Sequence, residues 1–277
     1  MRKKENAMQK TKDVYYLSGS TGILAKDMGK AILCQFPEVS FSVELIPFIR
    51  TEAEARKALE KILGQSKHPL VLSTMLNKEL NTIFDVPEIC FIHIMDPFLV
   101  KVEGFLETGA LWSSGASRNP DEKSIVRRVE AIHYCINHDD GIGIRDYDDA
   151  DVILLGVSRS GKTPISVFLS SQMGIKTANY PLVQDDLESY KLPSHIVKNK
   201  KKVVGLTVCP NLLHQYRENR YTGTKYASLA FCNEEIYRAN MIFMNHNIPI
   251  IISDGKSIEE TATQIIQELN LPCTMMS

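Results

Sequence analysis

The sequence predicts an α/β chain: an N-terminal parallel-sheet domain of Rossmann-like type, then a second α/β domain built around a phosphate-binding loop. Three observations predict it. Short apolar, β-branched runs alternate with helical stretches along the chain, the pattern of βαβ units and of a parallel sheet covered on both faces. Gly156-Val157-Ser158-Arg159-Ser160-Gly161-Lys162-Thr163 is a full match to G-x-x-x-x-G-K-S/T. An apolar run at 151–155 precedes that loop and a helix-compatible stretch opens at Pro164, so strand, glycine loop and helix come in the required order.

Residues 1–12 read as a basic, disordered tail without the apolar core of a secretory signal. The N-terminal α/β domain is placed at 13–110. Residues 14–17 predict a strand, 18–22 a small-residue loop and 23–36 a helix. That loop reads equally as an anion site at a helix N-terminus and as a tight turn with a Ser/Thr cap. Strands follow at 41–48, 69–75 and 90–95, separated by helices at 52–63, ended at Gly64, and at 77–84. Asp96 closes the last of these strands, as a cap for the next helix or as a ligand contact at a strand's C-terminal end.

The pattern breaks between Glu107 and Pro120 into Gly, Ser and Asn, including Ser113-Ser114-Gly115-Ala116-Ser117. Residues 111–150 are assigned to a linker helix, 122–137, and an acidic turn, His138-Asp139-Asp140-Gly141. In that turn the carboxylates suit Mg²⁺ or proton acceptance, and an ordinary helix-ending turn is the alternative. The phosphate-loop domain takes 151–277. Gly174 stops its first helix, 178–182 is a strand, and the basic run 198–202 is a solvated turn before the strand 203–208. Helices at 210–220 and 228–245, a strand at 248–252, and a final helix capped by Ser257 and Glu260 complete the pattern.

The chemistry of 156–163 explains its residue types. Gly156 and Gly161 let successive N–H groups turn inward with Val157, Ser158, Arg159 and Ser160, and the helix N-terminus adds positive potential. Lys162 bridges the terminal phosphates and the Thr163 hydroxyl ligates Mg²⁺. Asp254, after the last strand, is one candidate for a water-mediated Mg²⁺ contact. Arg217 and Arg220, three residues apart on one helix, join Arg159 as candidates to stabilise charge on a transferring phosphoryl group.

Composition narrows the partners. A net charge of -1 over 277 residues supplies no global field for nucleic acid or anionic membrane. No apolar run approaches the roughly 20 residues needed to span a bilayer. Six scattered cysteines, with no paired spacing, fit a reduced cytoplasmic protein.

Taken together, these stretches resemble one family, the bacterial and plant regulatory proteins of pyruvate, phosphate dikinase and of phosphoenolpyruvate synthase. The residues that carry the resemblance are Ser18-x-Ser20-Thr21-Gly22, Arg128-Val129-Glu130-Ala131, His138-Asp139-Asp140-Gly141 and the phosphate loop continued by Pro164. Ala178-Asn179-Tyr180-Pro181-Leu182, Val204-Gly205-Leu206-Thr207, Tyr226-Ala227 and 257–262 extend it over nearly the whole chain.

The resemblance implies a second domain of P-loop kinase-like architecture and a bifunctional serine/threonine kinase and phosphorylase. Such an enzyme moves the β-phosphoryl of ADP to a threonine of its phosphohistidine target. It reverses the step with inorganic phosphate, releasing pyrophosphate. It implies catalytic roles for Lys162 and Arg159; Asp139 or Asp140 as the base or metal contact is an inference from the acidic turn itself. ADP, Mg²⁺ and phosphate are the implied small molecules. Pyruvate, phosphate dikinase is the preferred partner over phosphoenolpyruvate synthase, and a homodimer is an open assembly state. A small-molecule kinase and a non-catalytic nucleotide sensor are the alternatives. The first loop departs from the family's usual Ser-Asp-Ser-Thr-Gly-Glu-Thr: Gly19 replaces the Asp, and Ile23 and Leu24 replace Glu and Thr. An altered target or reduced activity is the expectation that follows.

Overall fold

The computed structural model describes residues 11–113 and 122–271. It is α/β throughout, with helices flanking two parallel four-stranded sheets. The chain divides into two compact units, described residues 11–113 falling in the first and 122–271 in the second.

In the first unit β1 (Lys12–Leu17), α1 (Ile23–Leu33), β2 (Phe41–Ile46), α2 (Glu52–Gln65), β3 (Leu70–Ser73), α3 (Lys78–Thr82), β4 (Cys90–His93) and α4 (Asp96–Leu106) follow one another. The strand order is β2-β1-β3-β4, all parallel. Alternate residues of β1 explain the two covered faces. Tyr15 and Leu17 pack with Ala55, Ala58 and Ile62 of α2, whereas Val14 and Tyr16 pack with Ala25 and Leu33 of α1.

Several local expectations are corrected here. Gly64 does not end α2, which continues to Gln65, because the capping box of Thr51 and Glu54 fixes the start and Ile62 anchors the last turn. The cap of α1 is Gly22, at φ 78°, not a Ser or Thr side chain. Ser18 Oγ instead accepts the N–H of Ser20 at 3.2 Å. Asp96 is the first residue of α4, behind the cap residue Met95, and its carboxylate lies 3.3 Å from His93 Nδ1. Residues 1–10 of the expected tail, and Ser114 to Ser117 of the expected loop, lie outside the described residues.

The second unit opens with α5 (Glu122–Asn137), which packs on α6 and β6 once the chain has formed β5 (Val152–Gly156), α6 (Lys162–Met173) and β6 (Thr177–Pro181). Then come α7 (Gln184–Ser189), α8 (Ser194–Lys198), β7 (Val203–Thr207), α9 (Pro210–Glu218), α10 (Leu229–Asn245), β8 (Ile250–Ile252) and α11 (Ile258–Glu268). The order β6-β5-β7-β8 is parallel and has the same 2-1-3-4 plan as the first sheet. Val152 and Leu154 face α6 and α11, whereas Ile153 and Leu155 face the cluster built by α9 and α10. The loop after β5 therefore leaves the sheet beside β7 at the point where strand order reverses, the crevice in which such sheets bind ligands.

Candidate functional site

The phosphate loop is shaped by close packing at its start. β5 is buried along its length, and a Cβ on Gly156 would stand 2.6 Å from the Leu206 carbonyl oxygen of β7 and 2.6 Å from Ser160 Oγ. Only glycine allows that approach. The loop returns through Arg159 at φ 76° and Gly161 at φ 90°, both in the left-handed region. α6 begins at Lys162 with no side chain capping its first turn, so its N–H groups are left for an anion.

Lys162 is 6% exposed and folds back over the loop, its Nζ donating to the carbonyl oxygens of Gly156 at 3.1 Å and Val157 at 3.0 Å. Burial pulls its ammonium down to about 8, with Asp140 and Asp139 pulling the other way. Ser160 Oγ is buried and accepts or donates no hydrogen bond among the described residues. An orphan hydroxyl inside the loop is left free to donate to an anion. The cavity over the loop has a volume of about 800 Å³.

The acidic turn reaches this cavity from a distant part of the chain. His138 stacks on Tyr134, with ring centroids 3.8 Å apart, and its Nδ1 lies 2.7 Å from the Tyr134 carbonyl. The chain then turns through Asp140 at φ 54°. Asp139 accepts the Thr163 hydroxyl at 3.0 Å and the side-chain amide of Asn179. Asn179, 1% exposed on β6, grips the turn with every polar group it has. Its N–H donates to the His138 carbonyl at 3.0 Å, its side-chain oxygen accepts the Asp140 N–H at 2.8 Å, and its carbonyl accepts the Gly141 N–H at 2.9 Å and the Tyr147 hydroxyl at 2.9 Å. The Asp140 carboxylate accepts no hydrogen bond from the described residues and lines the cavity.

The structure thus brings Asp139, Asp140, Ser158, Arg159, Ser160, Gly161, Lys162 and Thr163 to one cavity, with Arg220 and Lys256 on its other walls. Of the other expected residues, Gly156 and Val157 are buried and do not line the cavity, Val157 packing into the core, and two more lie elsewhere. Asp254 accepts the Cys209 N–H with both carboxylate oxygens, at 2.8 and 2.9 Å, and so ties the loop after β8 to the loop after β7. Arg217 has no exposed surface and faces the back of the loop, not its phosphate side. Asn179 was not singled out by sequence reasoning; its one signal was its place in the Ala-Asn-Tyr-Pro-Leu stretch, whose register opposite β5 only the sheet reveals.

A divalent cation fits the donor set. Thr163 Oγ1 and the Asp139 carboxylate are hard oxygens 3.0 Å apart beside the phosphate cradle. Mg²⁺ takes few protein ligands and completes its shell from water and substrate phosphates. Among the described residues no group of three or more His, Cys, Asp and Glu side chains forms a self-sufficient metal cage.

The chain matches the profile of the family described as kinase/pyrophosphorylase over residues 14–266. It is 51% identical over 266 residues to a protein of Desulfotalea psychrophila named "Putative phosphoenolpyruvate synthase regulatory protein", covering 95% of this chain and 97% of the relative. Proteins of the same name from Laribacter hongkongensis and Alkalilimnicola ehrlichii are 38% and 37% identical, over 95% and 94% of this chain and 98% and 96% of theirs.

Proposed function

We propose, for a chain that belongs to the kinase/pyrophosphorylase family, that it is a phosphotransferase regulating phosphoenolpyruvate synthase, with ADP as phosphoryl donor in one direction and inorganic phosphate as acceptor in the other. The relatives' names support the synthase over pyruvate, phosphate dikinase, the partner that the sequence alone favours. The observation that carries the reading is the meeting of Asp139 and Asp140 with Lys162 and Thr163 at one cavity, because it joins a proton acceptor to a phosphate cradle.

In the forward direction the cradle and Lys162 hold the diphosphate, and Arg159 faces the charge that spreads over the transferring group. A threonine oxygen of the protein acceptor forms a bond to the β-phosphorus while the bridging bond to the α-phosphate breaks and AMP leaves. The threonine proton passes to Asp140, whose carboxylate is free for it. Asp139, occupied by Thr163 and Asn179, suits the other role, holding a cation that neutralises the phosphates. In reverse, an oxygen of inorganic phosphate forms a bond to the phosphothreonine phosphorus while the bond from that phosphorus to the threonine oxygen breaks, Asp140 returns the proton to the threonine oxygen, and the pyrophosphate so formed is released. One cradle serves both reactions because each passes through a bound diphosphate.

The test is incubation of the protein with ADP and the phosphohistidine form of phosphoenolpyruvate synthase, and in parallel of pyruvate, phosphate dikinase, followed by mass spectrometry for phosphothreonine. Phosphothreonine on the synthase is the expected result. Modification of the dikinase alone would move the target, and transfer to neither enzyme would overturn the reading.

A further inference from the structure

We infer that Arg217, which lies outside the cavity, is the positioning residue that keeps the backbone of the phosphate loop turned to receive an anion. The inference rests on the reading of 156–163 as a diphosphate cradle. Arg217 is 0% exposed, on α9 behind the loop. Its Nη2 donates to the Ser158 carbonyl at 3.1 Å, and its Nη1 donates to the Tyr226 carbonyl at 3.3 Å and lies 2.5 Å from Glu235 Oε2 of α10. The guanidinium stands 3.9 Å from the centroid of the Tyr226 ring.

A loop that aims its N–H groups at a phosphate must aim carbonyls the other way, into the protein, where each needs a donor. For Ser158 that donor is Arg217. The next residue, Arg159, sits at φ 76°, a conformation that a non-glycine residue keeps only when its surroundings hold it. Without Arg217 the Ser158 oxygen loses the donor that holds it on the protein side of the loop, and the 158–159 peptide is free to rotate. That rotation turns the oxygen toward the phosphates and takes the Arg159 N–H away, so an acceptor replaces a donor in the anion site. The planar guanidinium is suited to serve Ser158, Tyr226 and Glu235 at once, which a lysine ammonium in the same space cannot do with the same geometry. The peptide oxygen of Arg217 also accepts the N–H groups of Arg220 at 3.1 Å and Tyr221 at 2.7 Å, whose side chains line the cavity. One buried residue therefore anchors both the loop and the facing wall.

The experiment replaces the buried pair together, Arg217→Met with Glu235→Met, so that no lone charge is left inside, and compares it with Arg217→Lys. Affinities for pyrophosphate and for ADP are measured by calorimetry without any acceptor protein. Amide exchange of residues 157–161 and the thermal unfolding transition are followed alongside. The expected result is a cooperative transition in the double variant, an affinity for both ligands lower by roughly tenfold or more, and faster exchange confined to the loop, with Arg217→Lys between it and wild type. Wild-type affinity and loop exchange in the folded double variant, or in Arg217→Lys should the double variant not fold, would overturn the inference. So would a wild-type protein that binds neither ligand. Failure of the enzymatic reading registers separately, as absent transfer by a wild-type protein that still binds ADP.

Discussion

At Lys162 burial and charge pull against each other. The side chain must be inside to reach a phosphate held by the loop, and being inside lowers its proton affinity to about 8. The sign of the consequence follows. In the proposed cradle, Lys162 of the free protein is the cation that attracts the diphosphate below about pH 8, whereas above it binding requires a proton to be taken up first. Metal-free ADP should therefore lose affinity as pH rises through about 8, by a factor approaching tenfold for each pH unit well above it, with the loss levelling off about a unit below. Titration calorimetry over that range checks it, and Lys162→Ala should bind weakly and with a flat profile. Parallel profiles for the two proteins would remove Lys162 from the cradle. The acids divide by their partners. Asp140→Asn should lower transfer in both directions by roughly 10²–10⁴-fold, measured at saturating ADP. Asp139→Asn should instead raise the Mg²⁺ concentration needed for half-maximal rate. Much of this set was legible in the sequence, because the loop's spacing is itself the chemistry. The role of Arg217 was not: three-residue spacing puts Arg217 and Arg220 on one helical face, but only packing shows that one is wholly buried and the other lines the cavity.

At the scale of elements, regular structure was readable wherever periodicity or a cap marked it. The capping box at Ser257 and Glu260 is present as expected, and Gly174 ends α6 at φ 64°. The extent of α4 was not readable beyond a cap at Asp96, because its apolar residues occur all round and none of its residues is buried, so no periodic face announces it. α7 and α8, of six and five residues, are too short to display a period. Contact between the acidic turn and the loop could not be read at all, since Asp139 and Thr163 are 24 residues apart and meet only because β6 lies beside β5. Two changes test the packing. Thr51→Ala removes the side-chain bond to the Glu54 N–H and should destabilise the first unit by about 1 kcal/mol, while leaving ADP affinity unchanged. Leu169→Ala, in the buried face of α6, should cost about 3 kcal/mol in the second unit and be seen as a lowered denaturation midpoint.

For the whole molecule, the two sheets repeat one strand order, yet only the second carries the G-K-T loop that meets a pair of acids. The first loop, with Gly19 in place of the family's usual Asp, has Gly19 and Ser20 on the wall of a smaller cavity of about 380 Å³. The fold class was readable from alternation alone; that the 156–163 loop and the Asp139-Asp140 turn line one cavity was not, because β6 beside β5 is what brings them together. Whether one cavity serves both directions is decided with ADP labelled in its β-phosphoryl group, incubated with phosphohistidine phosphoenolpyruvate synthase and then chased with unlabelled inorganic phosphate. The label should appear first on a threonine of the synthase and then in pyrophosphate, and Lys162→Ala should abolish both steps. Release of labelled pyrophosphate from phosphothreonine by the Lys162→Ala protein at the wild-type rate would contradict a shared site.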